Sequence, residues 1–228
     1  MAIDSGIVNK EIRAQVIPLL KRAGFTYFRS RTSWRNRTNR IDVINFQSFN
    51  SYLASSLRCT TYSFAVNLGC YLNYIPPHFG RAIASKAGTP VPREYECHLR
   101  KPLLKSISQP EFPRTNIWYI DPAGKYVGPA VSDAKSVISN IAFEWFERFA
   151  DDGEVLRTFL NDSEKNNDTN GFGANPSPIR SYLIGYTAIF LKRNGLAIKH
   201  LQTALDSGCF NDAEQAIQDC LAQARDQK

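Results

Sequence analysis

The chain is 228 residues long, 43% hydrophobic and 12% aromatic, with a formal charge of +7 at pH 7. That length and apolar share give one large domain or two small ones with a buried core, and they exclude wholesale disorder. No run approaches the roughly eighteen consecutive apolar residues of a membrane span, and residues 1–15 lack the apolar stretch and cleavage site of a secretory signal, so a cytoplasmic protein with no membrane contact is expected.

The charge is unevenly spread. Residues 1–102 hold fifteen Lys and Arg against five Asp and Glu, and the remainder thirteen against sixteen. A basic front half suits an acidic partner, nucleic acid or an acidic protein face, and it also arises where arginine keeps strand edges soluble. Five cysteines, Cys59, Cys70, Cys97, Cys209 and Cys220, are odd in number and form no CxxC pair, which suits reduced thiols.

In chain order, Ile12, Val16, Leu19, Leu20 and Ala23 predict a helix over residues 8–23, with Gly24 as its C-terminal cap. Pro18 removes a backbone donor inside it, which predicts a kink or a helix in two pieces. Residues 25–34 read as a first strand and 35–39 as a turn. Five arginines, Arg29, Arg31, Arg35, Arg37 and Arg40, fall within twelve residues that contain no acid. With Tyr27, Phe28 and Trp34 interleaved, they have the basic and aromatic mix of a single-strand nucleic-acid surface, and equally that of a solvated hairpin tip.

Residues 40–50 and 59–74 read as the central strands. In the second, Tyr62, Phe64, Val66, Leu68, Cys70 and Leu72 fall on one face, with Ser63, Ala65, Asn67, Gly69 and Asn73 on the other, interrupted by Tyr71; this is a period of two. In the first, Ile44 and Phe46 oppose Ile41, Val43, Asn45 and Gln47. Asn45, Gln47 and Asn67 therefore sit on neighbouring strands, either satisfying local backbone groups or forming a polar recognition floor.

Residues 76–93 are a Pro- and Gly-punctuated loop, long enough to be mobile or functional, without the Gly-Lys-Ser/Thr ending of a phosphate loop. Residues 94–103 read as a fourth strand, alternating Tyr95, Cys97 and Leu99 against Glu94, Glu96, His98 and Arg100. A short strand follows at 116–120. From Val131 the stripe Val131, Ala134, Ile138, Ile141, Trp145 and Phe149, widened by Val137, Ala142 and Phe146, predicts the strongest helix. Asp152 then caps a helix carrying Val155, Leu156, Phe159 and Leu160. Ser177 and Pro178 open another, buried through Ile179, Tyr182, Leu183, Tyr186, Ile189 and Phe190 and closed by Asn194 and Gly195. Helices over 196–206 and 212–227 complete the chain, the last capped by Asn211.

The expected fold is α+β: an antiparallel sheet of four to five strands packed by helices on one face, with a helical C-terminal extension. The expected organisation is a sheet-containing core at 1–128, helices packing on the sheet at 129–162, a flexible linker at 163–177 and the extension at 178–228.

The candidate imidazoles are His78, His98 and His200, and His98, beside Cys97 on a strand, is the one placed for chemistry, although a lone strand histidine is more often a hydrogen bonder. Glu94 and Glu96 near Asp42 and His98 give the sole candidate set for a metal-dependent hydrolase. No catalytic residue, resident metal or cofactor is expected. The favoured function is non-catalytic binding of a protein partner, in the manner of an immunity or antitoxin protein. Nucleic acid is the alternative and a metal hydrolase the third. The expected partner-binding residues are Arg29, Arg31, Trp34, Arg35, Arg37, Arg40, Asn45, Gln47, Asn67, His98 and Arg100.

The order of helix, Gly24-Phe25, strand, Phe46-Gln47, Val66-Asn67-Leu68-Gly69, Cys97, Leu99-Arg100 and Trp118 resembles an uncharacterised bacterial group, the domain-of-unknown-function family 4304, over about the first two thirds of the chain. The resemblance implies an architecture and a bacterial source, and carries no activity or catalytic residues with it.

Overall fold

The computed structural model describes residues 5–77, 82–161, 172 and 175–226, which form an α+β fold. They fall into two compact units, one drawn from Met1–Arg37, Asp42–Gly69 and Pro102–Phe146, the other from Thr38–Ile41, Cys70–Lys101 and Glu147–Lys228. Among the described residues no helix is long and apolar enough to cross a membrane.

In the first unit the leading helix comes in two pieces, α1 (Ser5–Gln15) and α2 (Ile17–Arg22). Pro18 lies in the first turn of α2, where its missing N–H interrupts no helical hydrogen bond. Val8, Ile12, Val16 and Leu20 form the buried stripe, and Gly24, at φ 85°, ends it. The expected first strand is instead a hairpin, β1 (Tyr27–Arg29) and β2 (Thr32–Asn36), with Arg29 opposite Thr32. Its two-residue turn needs a positive φ, and Ser30 supplies it at 53° where glycine is usual.

After β3 (Arg40–Ser48) comes a short helix that the sequence reading lacked, α3 (Ser51–Leu57), capped by the Asn50 side chain on the Leu53 N–H. β4 (Phe64–Leu72), the small hairpin β5 (Ser85–Lys86) and β6 (Thr89–Pro90), and β7 (Leu99–Pro102) follow. The main sheet is antiparallel with order β1-β2-β3-β4-β7. The Phe46 N–H donates to the Arg31 carbonyl (2.8 Å) and the Leu103 N–H to that of Val66 (2.9 Å). Strand β4 has the expected register of side chains, yet both its faces are buried except at Asn67. The expected strand at 116–120 is a single bridge, Trp118 to Phe64.

Residues 94–96 are a 3-10 turn and not a strand, because the Glu96 carboxylate reaches back to accept from the Arg93 N–H (2.7 Å). Strand β7 starts only at Leu99.

The middle helix begins earlier than Val131, as α4 (Val127–Val137), and passes through a π turn (Ile138–Ala142) into α5 (Phe143–Arg148). The wide π turn shifts the phase of the apolar stripe. Ile141, expected inside, is therefore 42% exposed, while Ala142, Trp145 and Phe146 stay buried.

In the second unit α6 (Asp152–Leu160) is capped by Asp151, whose carboxylate accepts from the Gly153 N–H. Ser177 caps α7 (Pro178–Phe190) as its spacing predicts. Asn194 and Gly195 open α8 (Asn194–Asp206) and do not close α7, which ends at Phe190 with Leu191 as its cap and Lys192 following at φ 56°. A 3-10 turn at Asn211–Ala213 leads into α9 (Glu214–Asp226). His78 and most of the expected linker at 163–177 lie outside the described residues.

Helix α7 is buried on every side from Arg180 to Ala188, as expected for a helix that packs on both α6 and α8. Gly185 permits the closest approach: a Cβ there would lie 2.5 Å from Leu201 Cδ2 and 3.2 Å from the Leu201 backbone nitrogen. Gly185→Ala is expected to destabilise by about 1–3 kcal/mol through overpacking, which outweighs a helix-propensity gain of about 1 kcal/mol. Urea unfolding measures it, and pairing with Leu201→Ala should return part of the loss.

Candidate functional site

The arginine-rich hairpin is not one surface. Arg35 is 5% exposed; its Nε and Nη2 both lie 2.8 Å from Asp42 Oδ2, and its Nη1 donates to the Ala23 carbonyl (3.0 Å). Its guanidinium also lies over the rings of Phe25 and Phe146. Arg40 is likewise buried, donating to the Phe149 carbonyl (2.6 Å). Trp34 is buried and stacked on Tyr27 with centroids 5.0 Å apart, so that its ring is not presented for stacking on a base. Arg37 is half-exposed with its Nε 3.8 Å from Asp42, and Arg29 is exposed on the edge strand β1.

Arg31, Asn45 and Gln47 meet in a groove of about 540 Å³. Its walls are Asn9 and Arg13 from α1, Ser30, Arg31 and Thr32 from the β1–β2 turn, and Asn45 to Ser48 from the end of β3. Helix geometry brings Asn9 and Arg13 to one face, since residues four apart stack one above the other. The tight turn at Ser30 sets Arg31 beside them. Along β3, Phe46 is bonded toward β2, its N–H donating to the Arg31 carbonyl, and Ser48 lines the groove two residues on.

The hydrogen bonding gives the groove a polarity. Asn9 Oδ1 accepts from Arg31 Nε (2.7 Å), Asn45 Oδ1 from Thr32 Oγ1 (3.2 Å), and Gln47 Oε1 from Asn67 Nδ2 (2.9 Å). Arginine only donates, which fixes the Asn9 amide. Asn45 and Gln47, as they stand in the structure, likewise have their side-chain oxygens engaged within the protein. With Arg13 and Arg31 added and, among the described residues, no carboxylate in the lining, the groove offers donors. Burial pushes the Arg31 pKa down, and its Nη1 and Nη2 are both buried without a hydrogen-bond partner. A buried polar group in that condition costs about 1–3 kcal/mol, and a charged one more.

His98 and Arg100 lie elsewhere, in the second unit. His98 is buried under Tyr71, and its Nδ1 accepts from the Leu72 N–H (2.9 Å), the ordinary role of a strand histidine. Arg100 Nε donates to Glu94 Oε1 (2.9 Å), Glu96 caps the turn before it, and Asp42 holds Arg35. Among the described residues no three His, Cys, Asp or Glu side chains gather as a metal site, and the five cysteines are thiols.

Of the expected partner-binding residues, Arg31, Asn45 and Gln47 line the groove and Asn67 bonds to Gln47, whereas Asn9 and Arg13, which line it too, were not among them. Their spacing on a helix was legible; the packing of that helix face beside the hairpin turn was not.

An antiparallel sheet with packed helices places the chain in the α+β class. Residues 16–148 match the family described as "Domain of unknown function (DUF4304)", and the chain belongs to that family. The comparisons find no match among curated proteins or among solved structures.

Proposed function

We propose that the chain is a non-catalytic binding protein that docks a protein partner, in the manner of an immunity or antitoxin protein, by receiving an extended stretch of it in the groove between α1 and the end of β3. The observation that carries this reading is the donor polarity of the groove, in which the side-chain oxygens of Asn9, Asn45 and Gln47 are each engaged within the protein beside Arg13 and Arg31. Small-molecule pockets are mostly apolar with few polar groups. A groove with amide and hydroxyl walls instead suits the carbonyl oxygens of a polypeptide. The burial of Trp34 favours protein over nucleic acid, because stacking platforms for single strands need open rings.

The test is affinity capture from the protein's own cell extract with the full chain and with the exposed pair Arg13→Glu and Gln47→Glu, the captured protein being identified by mass spectrometry. Surface changes of this kind leave stability within about 0.5 kcal/mol. The pair is expected to lose the partner that the unaltered chain retains. Equal retention would contradict the reading.

A further inference from the structure

We infer that Arg31 is a carboxylate fork, whose Nη1 and Nη2 engage the side chain of an Asp or Glu carried by the polypeptide in the groove. This rests on the function proposed above and names the chemistry that the groove selects. Arg31 sits in the β1–β2 turn, its backbone carbonyl fixed by the Phe46 N–H and its Nε by Asn9 Oδ1 (2.7 Å). The side-on edge of the guanidinium is therefore taken. What remains is the end-on pair, Nη1 and Nη2, both buried and with no hydrogen-bond partner.

A carboxylate fits that pair by charge and by geometry: it has two oxygens in one plane and accepts from both nitrogens at once. Arg31 lines the groove, so a carboxylate seated there stands beside the pair. Arg13 lies one helical turn from Asn9 and adds a second positive charge on the same wall, while the NH₂ groups of Asn45 and Gln47 supply neutral donors. A neutral amide ligand would set its own NH₂ against one arm of the fork. The site thus separates Glu from Gln.

The test uses two fluorescein-labelled, C-terminally amidated peptides, one of four Ser-Glu repeats and one of four Ser-Gln repeats, titrated with the full chain and followed by anisotropy. The Glu peptide is expected to bind, and the Gln peptide at least about tenfold more weakly. Arg31→Lys keeps the charge and loses the fork, and should weaken the Glu peptide by about tenfold. Asn9→Ala releases only the tether and should weaken it less. Both variants are checked for an unchanged melting temperature, and Asn9→Ala decides if the lysine variant does not fold.

Absence of binding by the Glu peptide, equal binding of the two peptides, full binding by Arg31→Lys, or displacement of the Glu peptide by octathymidylate at lower concentration than by its own unlabelled form would each overturn the inference. If one of these occurs while Arg13→Glu with Gln47→Glu still loses the cellular partner, the fork falls and the groove reading stands. If that pair keeps the partner, the groove reading falls as well.

Discussion

Asp42→Asn is expected to lower the stability of the fold by about 3–5 kcal/mol, because it removes one partner of a buried ion pair and leaves the other charge in place. Asp42 is fully buried, and Arg35 beside it is nearly so. Arg35 presents Nε and Nη2 to one carboxylate oxygen, both at 2.8 Å, lies over the Phe25 and Phe146 rings, and reaches the carbonyl of Ala23 at the end of α2. Without the carboxylate the guanidinium has neither water nor an opposite charge except through rearrangement of the hairpin. Arg37, 3.8 Å from the same oxygen and partly in solvent, offers no replacement, because it too is a cation.

Chemical denaturation of the single variants and of the pair Arg35→Met with Asp42→Leu resolves the effect. The double variant should recover most of the loss, since well-packed apolar side chains often match a buried pair in stability. A loss under about 1 kcal/mol for Asp42→Asn would show that the pair is solvated, like surface pairs of that size.

Trp118→Ala is expected to cost about 3–5 kcal/mol, the range for removing a large buried aromatic side chain. Trp118 has no exposed surface and holds three segments of the first unit together. Its backbone bridges Phe64 on β4 in both directions, at 2.9 and 3.2 Å, and its ring stacks on that of Phe64 with centroids 5.7 Å apart. Its Nε1 donates to Asp133 on α4 (2.8 Å), a carboxylate that also accepts from the Ser106 N–H. Trp118→Phe keeps much of the packing and loses the indole donor, and should cost distinctly less. Urea unfolding monitored by far-ultraviolet circular dichroism measures both. Equal midpoints for Trp118→Ala and the unaltered chain would mean that the segment around Trp118 is not part of the cooperative core.

Much of the fold was legible because its signals are local. Pro18 and Gly24 divide and end the first helix by backbone chemistry alone, and the period of two through β4 follows from side-chain alternation. Where reading failed, the deciding contact was not in the local pattern. The β1–β2 turn carries serine, not glycine, at its positive φ, so nothing broke the apparent strand from Phe25 to Trp34. Glu94 to Glu96 alternate like a strand, yet Glu96 folds back on the Arg93 N–H. One extra residue in the π turn sends Ile141 to solvent, which no helical wheel of constant pitch anticipates.

The candidate site divides in the same way. Asn45, Gln47 and Asn67 share a face because strand parity is fixed by sequence, and the structure opens that face only at the end of β3. The arginines of the hairpin look alike in sequence. Their fates diverge with one acid: Asp42, on the neighbouring strand, draws Arg35 inside, while Arg31 at the turn is left with an amide.

The groove is tested most directly by amide hydrogen exchange on the full chain, alone and saturated with the protein it captures from its own cells. Protection should rise at residues 30–32 and 45–48 and on the α1 face that carries Asn9 and Arg13. Protection that appears on α8 and α9, and leaves those stretches exchanging as in the isolated chain, would place the partner elsewhere and contradict the reading of this surface.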